Sequence, residues 1–386
     1  MTNNAKLKLV ILSISLLQMG TTAIASILGS IAGSFPDESS TAVQLLMTFP
    51  SLFVLVFALL SPMISTRIGK RNTILLGCVL FAVSGILSWM IHHSLTLLYI
   101  WAAMMGIGIG LVVPMATGSV AEFFTGSEQR DLMGWQSSAA NIGAMLMTFA
   151  GGYLAMIHWS WNYLVYLIIL PGLFLTWLYY PKESSGKKSE LPFKYLGISR
   201  VALCCLLACS TTLFFNMIPT NISMLVRENG IGSSAQAGNA ATLLLLSGTL
   251  MGIVFGKVSA KLGRYVILFG QGMLLIGMFI LSRAQSLPMV YLGCLTGGCS
   301  ISSIMPMCML GSAKASGNGA ASGALQMGAS NLGAFCSPFI TNLAMKITGT
   351  VSVSGRFQTG IYLVLIAMVI TFFAINAINK KEKQTN

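Results

Sequence analysis

The chain is written in long apolar blocks separated by short polar links. Twelve blocks stand out, at about 8–34, 41–66, 72–92, 95–122, 131–157, 161–180, 199–227, 235–260, 264–284, 287–312, 319–347 and 356–379. A helix needs about 20 apolar residues to cross a bilayer, so each block predicts one spanning helix and the whole an all-α membrane protein. The longest internal polar stretch, Pro181–Arg200, carries Ser184-Ser185-Gly186 and Lys187-Lys188 and divides the blocks six and six. The expected organisation is an N-terminal six-helix half (1–180), a cytoplasmic linker (181–198) and a C-terminal six-helix half (199–386).

Composition agrees with this pattern. Charged residues are 8% of the chain and apolar residues 55%, whereas soluble domains are about 25% charged. So little charge cannot cover a soluble surface, and the apolar excess is expected to face a lipid bilayer. The net charge of +13 does not point to nucleic acid, because the bases sit in short links between apolar blocks. With both termini inside, 18 of the 22 Lys and Arg fall on the inner side, leaving Arg227, Arg283, Lys346 and Arg356 outside. Cytoplasmic links hold the excess of Lys and Arg, so both termini are expected in the cytoplasm. Lys6 and Lys8, an apolar run and Ala23-Ile24-Ala25 also resemble a cleavable signal peptide. The run continues to Gly33 and is read as a span, which preserves the six-plus-six count.

Few residues offer chemistry. The eight cysteines (78, 204, 205, 209, 294, 299, 308 and 336) all lie in apolar blocks and read as buried soft hydrophobes. His92, His93 and His158 fall at block ends and suggest no metal or catalytic cluster. The chain has no nucleotide-binding loop, zinc motif or nucleophile elbow. No cofactor, no metal and no enzymatic activity is expected.

The two halves repeat at an offset of about 190 residues. After block 2, Arg67, Gly69 and Lys70 precede Arg71; after block 8, Lys261, Gly263 and Arg264 have the same spacing. Gly106 stands eight residues before Pro114-Met115, as Gly298 does before Pro306-Met307. Gln136 precedes Asn141-Ile142-Gly143-Ala144, as Gln326 precedes Asn331-Leu332-Gly333-Ala334. Six spans is an even number, so both halves enter from the same side and the repeat is parallel.

These features resemble the major facilitator superfamily, in its bacterial twelve-helix type, over essentially the whole chain. The resemblance implies two pseudo-symmetric six-helix halves and transport of a small molecule across a bacterial plasma (inner) membrane, by a monomer. The family's Gly-x-x-x-Asp-Arg-x-Gly-Arg-Arg after helix 2 is matched by Arg67, Gly69, Lys70 and Arg71. Pro62 replaces its first glycine and Thr66 its aspartate, so the cytoplasmic latch is expected to be weaker or differently built. After helix 8, Gly256, Lys261, Gly263 and Arg264 match, with Ala260 at the aspartate position. Arg130 and Gly134 resemble the family's Arg-x-x-x-Gly, and Trp159-Ser160-Trp161 its opening of helix 6. Two signatures are reduced. The helix-4 arginine of many proton-coupled members is Ala102 here, and of the antiporters' helix-5 Gly-Pro-x-x-Gly-Gly only Gly151-Gly152 survives.

Polar side chains at membrane depth are costly and face the bundle interior or a wet cavity. The substrate candidates are therefore Gln18, Gln136, Asn216, Asn221 and Gln326, with interhelical hydrogen bonding as the alternative role for each. Asn141 and Asn331, each near a repeat glycine, lean towards packing. Gln18, Asn216 and Asn221 lean towards substrate, because helices 1 and 7 line the cavity in the family resembled. Trp101, Trp135, Met115 and Met307 are candidates for an adaptable apolar wall. Gly106 and Gly110, Gly248, Gly252 and Gly256, and Gly293 and Gly297 have the small-xxx-small spacing of close helix packing. No Asp, Glu, Lys or Arg falls near the middle of a block. A neutral, zwitterionic or weakly charged substrate is expected, with Asp37, Glu38 and Glu122 at the edges as the acids open to a coupling proton. Export is the favoured direction; uptake of a metabolite, or a non-transporting receptor or scaffold, are the alternatives.

Overall fold

The computed structural model describes residues 3–181, 198–316, 319–349 and 352–385. Most of the linker (182–197) lies outside the described residues, as does the side chain of Arg130. The described residues form helices and turns, with no strand among them. Helix α1 begins as Asn3–Ser15 and continues as a 3-10 helix, Leu16–Ser26; a short helix, Leu28–Ser34, follows. Then come α2 (Ser40–Thr48 and Pro50–Ile68), α3 (Lys70–Met90), α4 (Leu95–Phe123) and α5 (Gly126–Leu154). Helix α6 opens as 3-10 (Trp159–Ile169) and ends as α (Leu170–Tyr179). The remaining six are α7 (Ile198–Glu228), α8 (Ser234–Leu262), α9 (Val266–Ser282), α10 (Leu287–Ser316), α11 (Gly319–Thr348) and α12 (Val353–Thr385).

Nine stretches among the described residues are long and apolar enough to cross a membrane. One of them, Ser234–Ser282, holds both α8 and α9, which run together through the 3-10 turn Gly263–Tyr265. The stretches missing from those nine are α5 and α11, which carry the repeated amides Gln136 and Asn141, Gln326 and Asn331 among glycines and serines. Counted with these, the helices are the twelve of the apolar pattern.

The chain divides into two compact units, Met1–Glu190 with Ser233–Thr242, and Leu191–Gly232 with Leu243–Asn386. In the first, α4 crosses α2 at Gly106, where a Cβ would run into the Pro50 carbonyl, and α5 crosses α1 at Gly143, against the Leu16 carbonyl. In the second, Gly298 of α10 meets the Leu244 carbonyl of α8, and Gly333 of α11 meets the Cys209 carbonyl of α7. Backbone touches backbone at all four, which only a residue without a side chain permits. The small-residue spacing misleads in α8: Gly248 faces Gly298, but added Cβ atoms on Gly252 and Gly256 would have nothing within 4 Å. A periodic stripe of glycines does not by itself tell which face finds a neighbour.

Helix α1 departs from regular geometry at Met19 (φ −112°, ψ 27°). A 3-10 stretch inside a helix marks a hinge or a strained turn. Here it lets Gly20 sit against the ring of Phe81 on α3, 2.6 Å from where a Cβ would stand.

Candidate functional site

The two corner glycines both adopt positive φ, +85° at Gly69 and +53° at Gly263, with open space around them. Their requirement is the backbone turn itself, which L side chains rarely adopt. The Gly69 corner places two bases. Lys70 pairs with Glu122 at the end of α4, and Arg71 donates to the Trp177 carbonyl near the end of α6, where helix carbonyls carry partial negative charge. Arg67 is exposed, and the Thr66 hydroxyl turns back to the Met63 carbonyl of its own helix. The acid at this corner thus comes from α4, through Glu122, rather than from position 66. At the other corner Lys261 is exposed, Arg264 is half-buried, and Tyr265 donates to Asn376 Oδ1 on α12 at 3.0 Å. Arg130 lies outside the described side chains. Of the three acids considered for proton coupling, Glu122 is engaged with Lys70, and Asp37 and Glu38 are exposed on the α1–α2 link.

The five amides separate into two groups. Gln136 is buried and donates to Thr117 Oγ1 (3.2 Å), tying α5 to α4. Gln326, its repeat partner, donates to the Met305 carbonyl (3.2 Å) and accepts from Ser312 Oγ (3.3 Å), tying α11 to α10. Asn221 is 1% exposed, and its Oδ1 accepts from Arg356 Nη1 at 2.9 Å. These three have helix–helix partners. Asn216 is half-buried; its Nδ2 donates to the Thr212 carbonyl one turn back (2.8 Å), and its Oδ1 makes no hydrogen bond among the described residues. Gln18 is half-buried beside the Met19 kink, with no side-chain hydrogen bond among the described residues.

Arg356 corrects the charge map read from the sequence. Counted there with the outer-link bases, it lies inside the first turn of α12 and is only 6% exposed. Its Nη1 also lies 3.4 Å from Met224 Sδ. Glu228, which acts electrostatically on the guanidinium, accepts the Val353 backbone N–H at 3.1 Å at the same helix start. Block ends misplaced Arg356 because the polar residues before it, Ser352 and Ser354, made the boundary look like a link. In the first unit the comparable fastening of the last helix to the first is neutral: buried Asn162 of α6 donates to Ala23 O and Ser26 Oγ, both at 3.1 Å. Asn162 directly follows the Trp159-Ser160-Trp161 motif, and nothing in the sequence marks it apart from that neighbourhood.

The helix-4 departure also has a structural counterpart. Ala102 lines a small cavity of about 10 Å³ with Ser84, Ser88, Trp101, Tyr163 and Tyr166. The Tyr166 hydroxyl is buried there without a hydrogen-bond partner. Of the other wall candidates, Trp101 donates Nε1 to the Ile91 carbonyl (3.1 Å), Met115 is buried, Met307 packs beside Cys308, and Trp135 is exposed. Gly151 and Gly152 both stand in tight contacts within the first unit, Gly151 against Asn162 and Gly152 against Gly238.

The sequence profile of the Major Facilitator Superfamily matches residues 10–338. The chain belongs to the major facilitator superfamily. Among curated superfamily relatives, it is 28% identical over 113 residues to the quinolone resistance protein NorA of Staphylococcus aureus, covering 28% of this chain and 29% of NorA. It is 23% identical over 129 residues to the multidrug transporter protein MdtP of Bacillus subtilis, covering 33% and 23%. The chain spans about a third or less of the length of the curated relatives it matches. In fold it is similar to the crystal structure of a D-xylose-proton symporter, with a TM-score of 0.74 and 18% identity over 96% of this chain and 97% of that one. The fold of this superfamily member is the twelve-helix membrane-protein fold that the apolar blocks and the internal repeat predicted.

Proposed function

We propose that this transporter exports a small organic molecule that is neutral, zwitterionic or weakly charged. It works by alternating access, as a monomer in a bacterial plasma membrane with both termini in the cytoplasm. The observation that carries the substrate reading is the division among the amides. Of the five candidates, Gln136, Gln326 and Asn221 are engaged between helices, and Gln18 on α1 and Asn216 on α7 are the two left half-buried with unused hydrogen-bonding capacity among the described residues. Amides recognise uncharged polar groups, and no charged side chain falls near the middle of a span. Export is favoured by the resistance and multidrug names of NorA and MdtP. The sugar–proton symporter shares the fold alone and carries no weight for uptake. Coupling is either absent or uses a peripheral acid; Glu122 already holds Lys70, which leaves Asp37 and Glu38.

Purified protein in liposomes tests this. Counterflow of neutral or zwitterionic solutes, weakened in Gln18→Ala and Asn216→Ala at unchanged protein level, is the expected result. Selective transport of permanent cations would overturn the substrate reading. Strong proton-driven accumulation that survives removal of Asp37, Glu38 and Glu122 would overturn the coupling reading.

A further inference from the structure

All three histidines of the chain gather at one end of the first unit, although 65 residues separate His93 from His158. His92 and His93 follow α3, and His158 precedes α6. The His92 ring centroid stands 5.3 Å from that of His158 and 6.1 Å from that of His93. Buried Trp159 packs against His92 at 5.0 Å and against His158 at 5.4 Å. The hydrogen bonds fix how the rings are used. His92 Nδ1 lies 2.8 Å from the Trp89 carbonyl, which only accepts, so Nδ1 carries the proton and Nε2 is the basic nitrogen. His158 Nδ1 is 2.8 Å from Ser160 Oγ and accepts the Ser160 backbone N–H at 3.3 Å. His158 is therefore the N-cap of α6, and it caps as an acceptor, a role that requires an unprotonated Nδ1.

No group of three side chains among the described residues converges on a metal position, so the ligand these rings fit is the proton. We infer that His92, His93 and His158 form a proton-binding site whose filling unfastens the start of α6. A proton on His158 Nδ1 turns the cap from acceptor to donor, and the Ser160 backbone N–H loses its partner. A second proton on His92 sets two like charges about one ring-width apart. Trp159, held between these rings, also packs edge-on against Phe35 of the α1–α2 link (6.3 Å) and Tyr163 of α6 (6.4 Å), so loosening it reaches both. Near these rings Trp89 of α3 packs edge-on against Trp161 of α6, and Trp101 of α4 donates to the Ile91 carbonyl next to His92, all of them uncharged. The charges that act on His92 are those of His158 and His93; Asp37 and Glu38, exposed on the α1–α2 link, do not offset them. Burial foremost holds His92 below the ordinary histidine range, against the bond to Trp89, which raises it; His158 and then His93 lower it further. The excess of Lys and Arg at the opposite links puts this end outside, where the site would read external acidity.

The sign of the effect follows from linkage. A histidine depressed in the folded state binds fewer protons than when unfolded, so stability is full above about pH 6.5 and falls as the pH drops below it. Histidine is the only side chain whose ordinary range lies between about pH 5 and 8. The test is the unfolding temperature of the full-length protein in lipid nanodiscs from about pH 8 to about pH 5.5. A fall of a few degrees below about pH 6.5 is expected in the wild type. His92→Gln, which removes the depressed group, should flatten most of that fall, and His158→Asn, which keeps a cap acceptor but takes away the neighbouring imidazole, should lessen it. A flat wild-type profile, or an undiminished fall in the triple variant His92→Gln/His93→Gln/His158→Asn, overturns the inference. Should a variant fail to fold, ring NMR of the wild type decides. A His92 titration displaced below the ordinary histidine range supports the site; a His92 titration at the ordinary value refutes it.

Discussion

The two units share their glycine contacts and differ in their polar fasteners. Gly106 and Gly298, and Gly143 and Gly333, occupy equivalent repeat positions and do the same work, bringing one helix backbone onto the next. Gln136 and Gln326 likewise tie corresponding helices. The fastening of last helix to first is a neutral amide in the first unit, Asn162, and a buried guanidinium in the second, Arg356. The corner after the second helix holds an ion pair in the first unit, Lys70–Glu122, and a tyrosine–asparagine bond in the second, Tyr265–Asn376. The frame that sets helix spacing has been kept in both copies. Charge has been placed differently in each, once at a corner and once inside a helix start.

The largest effects should come from the shared frame. Gly106→Ala, Gly143→Ala, Gly298→Ala and Gly333→Ala each force a Cβ onto a facing carbonyl. Each should cost about 2–3 kcal/mol, read as a drop in unfolding temperature of similar size in the two units. Gly252→Ala and Gly256→Ala, which meet nothing, should stay within about 0.5 kcal/mol. Neutral behaviour at Gly106 and Gly298 would break the equivalence of the two frames.

The fasteners come next. Asn221→Ala removes an acceptor from a buried guanidinium and should cost about 1.5–3 kcal/mol, because hydrogen bonds to charged groups are the stronger kind. Asn162→Ala removes neutral bonds and should cost about 1 kcal/mol. Equal costs, measured by thermal unfolding, would show that the charge on Arg356 adds nothing.

The corners follow. Gly69→Ala and Gly263→Ala strain a positive-φ backbone and should each cost about 1–2 kcal/mol while leaving membrane insertion intact. The smallest effect belongs to Glu122→Gln. Lys70 and Glu122 are 19% and 31% exposed, so solvent screens them and the loss should be under about 1 kcal/mol and shrink with added salt. A loss several times larger would mean that the pair does more than hold the corner.

The features legible in the sequence were those written as repetition or as long blocks. The twelve spans followed from apolar length, and the frame glycines and corner glycines from a pattern seen twice. What stayed hidden depends on which face of a helix meets a neighbour, and a single sequence does not encode that locally. The burial of Arg356, the engagement of Asn221 with it, and the meeting of His158 with His92 all join residues far apart in the chain. The 3-10 stretches of α1 and α6 carry no proline, and their polar residues, among them Gln18, Thr21 and Thr22 in the first and Ser160 and Asn162 in the second, do not distinguish a 3-10 from an α-helical turn. Among the candidate amides, the family resemblance set Gln18, Asn216 and Asn221 apart from Gln136 and Gln326; the partners found in the structure take Asn221 out of that group.

The most direct test of that separation is solute counterflow in liposomes, comparing Gln18→Ala and Asn216→Ala with Gln136→Ala and Gln326→Ala. The prediction is that the first pair loses affinity, seen as a raised half-saturating solute concentration at an unchanged unfolding temperature, while the second pair loses stability with affinity retained. Wild-type affinity in both Gln18→Ala and Asn216→Ala, or weakened affinity confined to the Gln136 and Gln326 variants, would contradict the account.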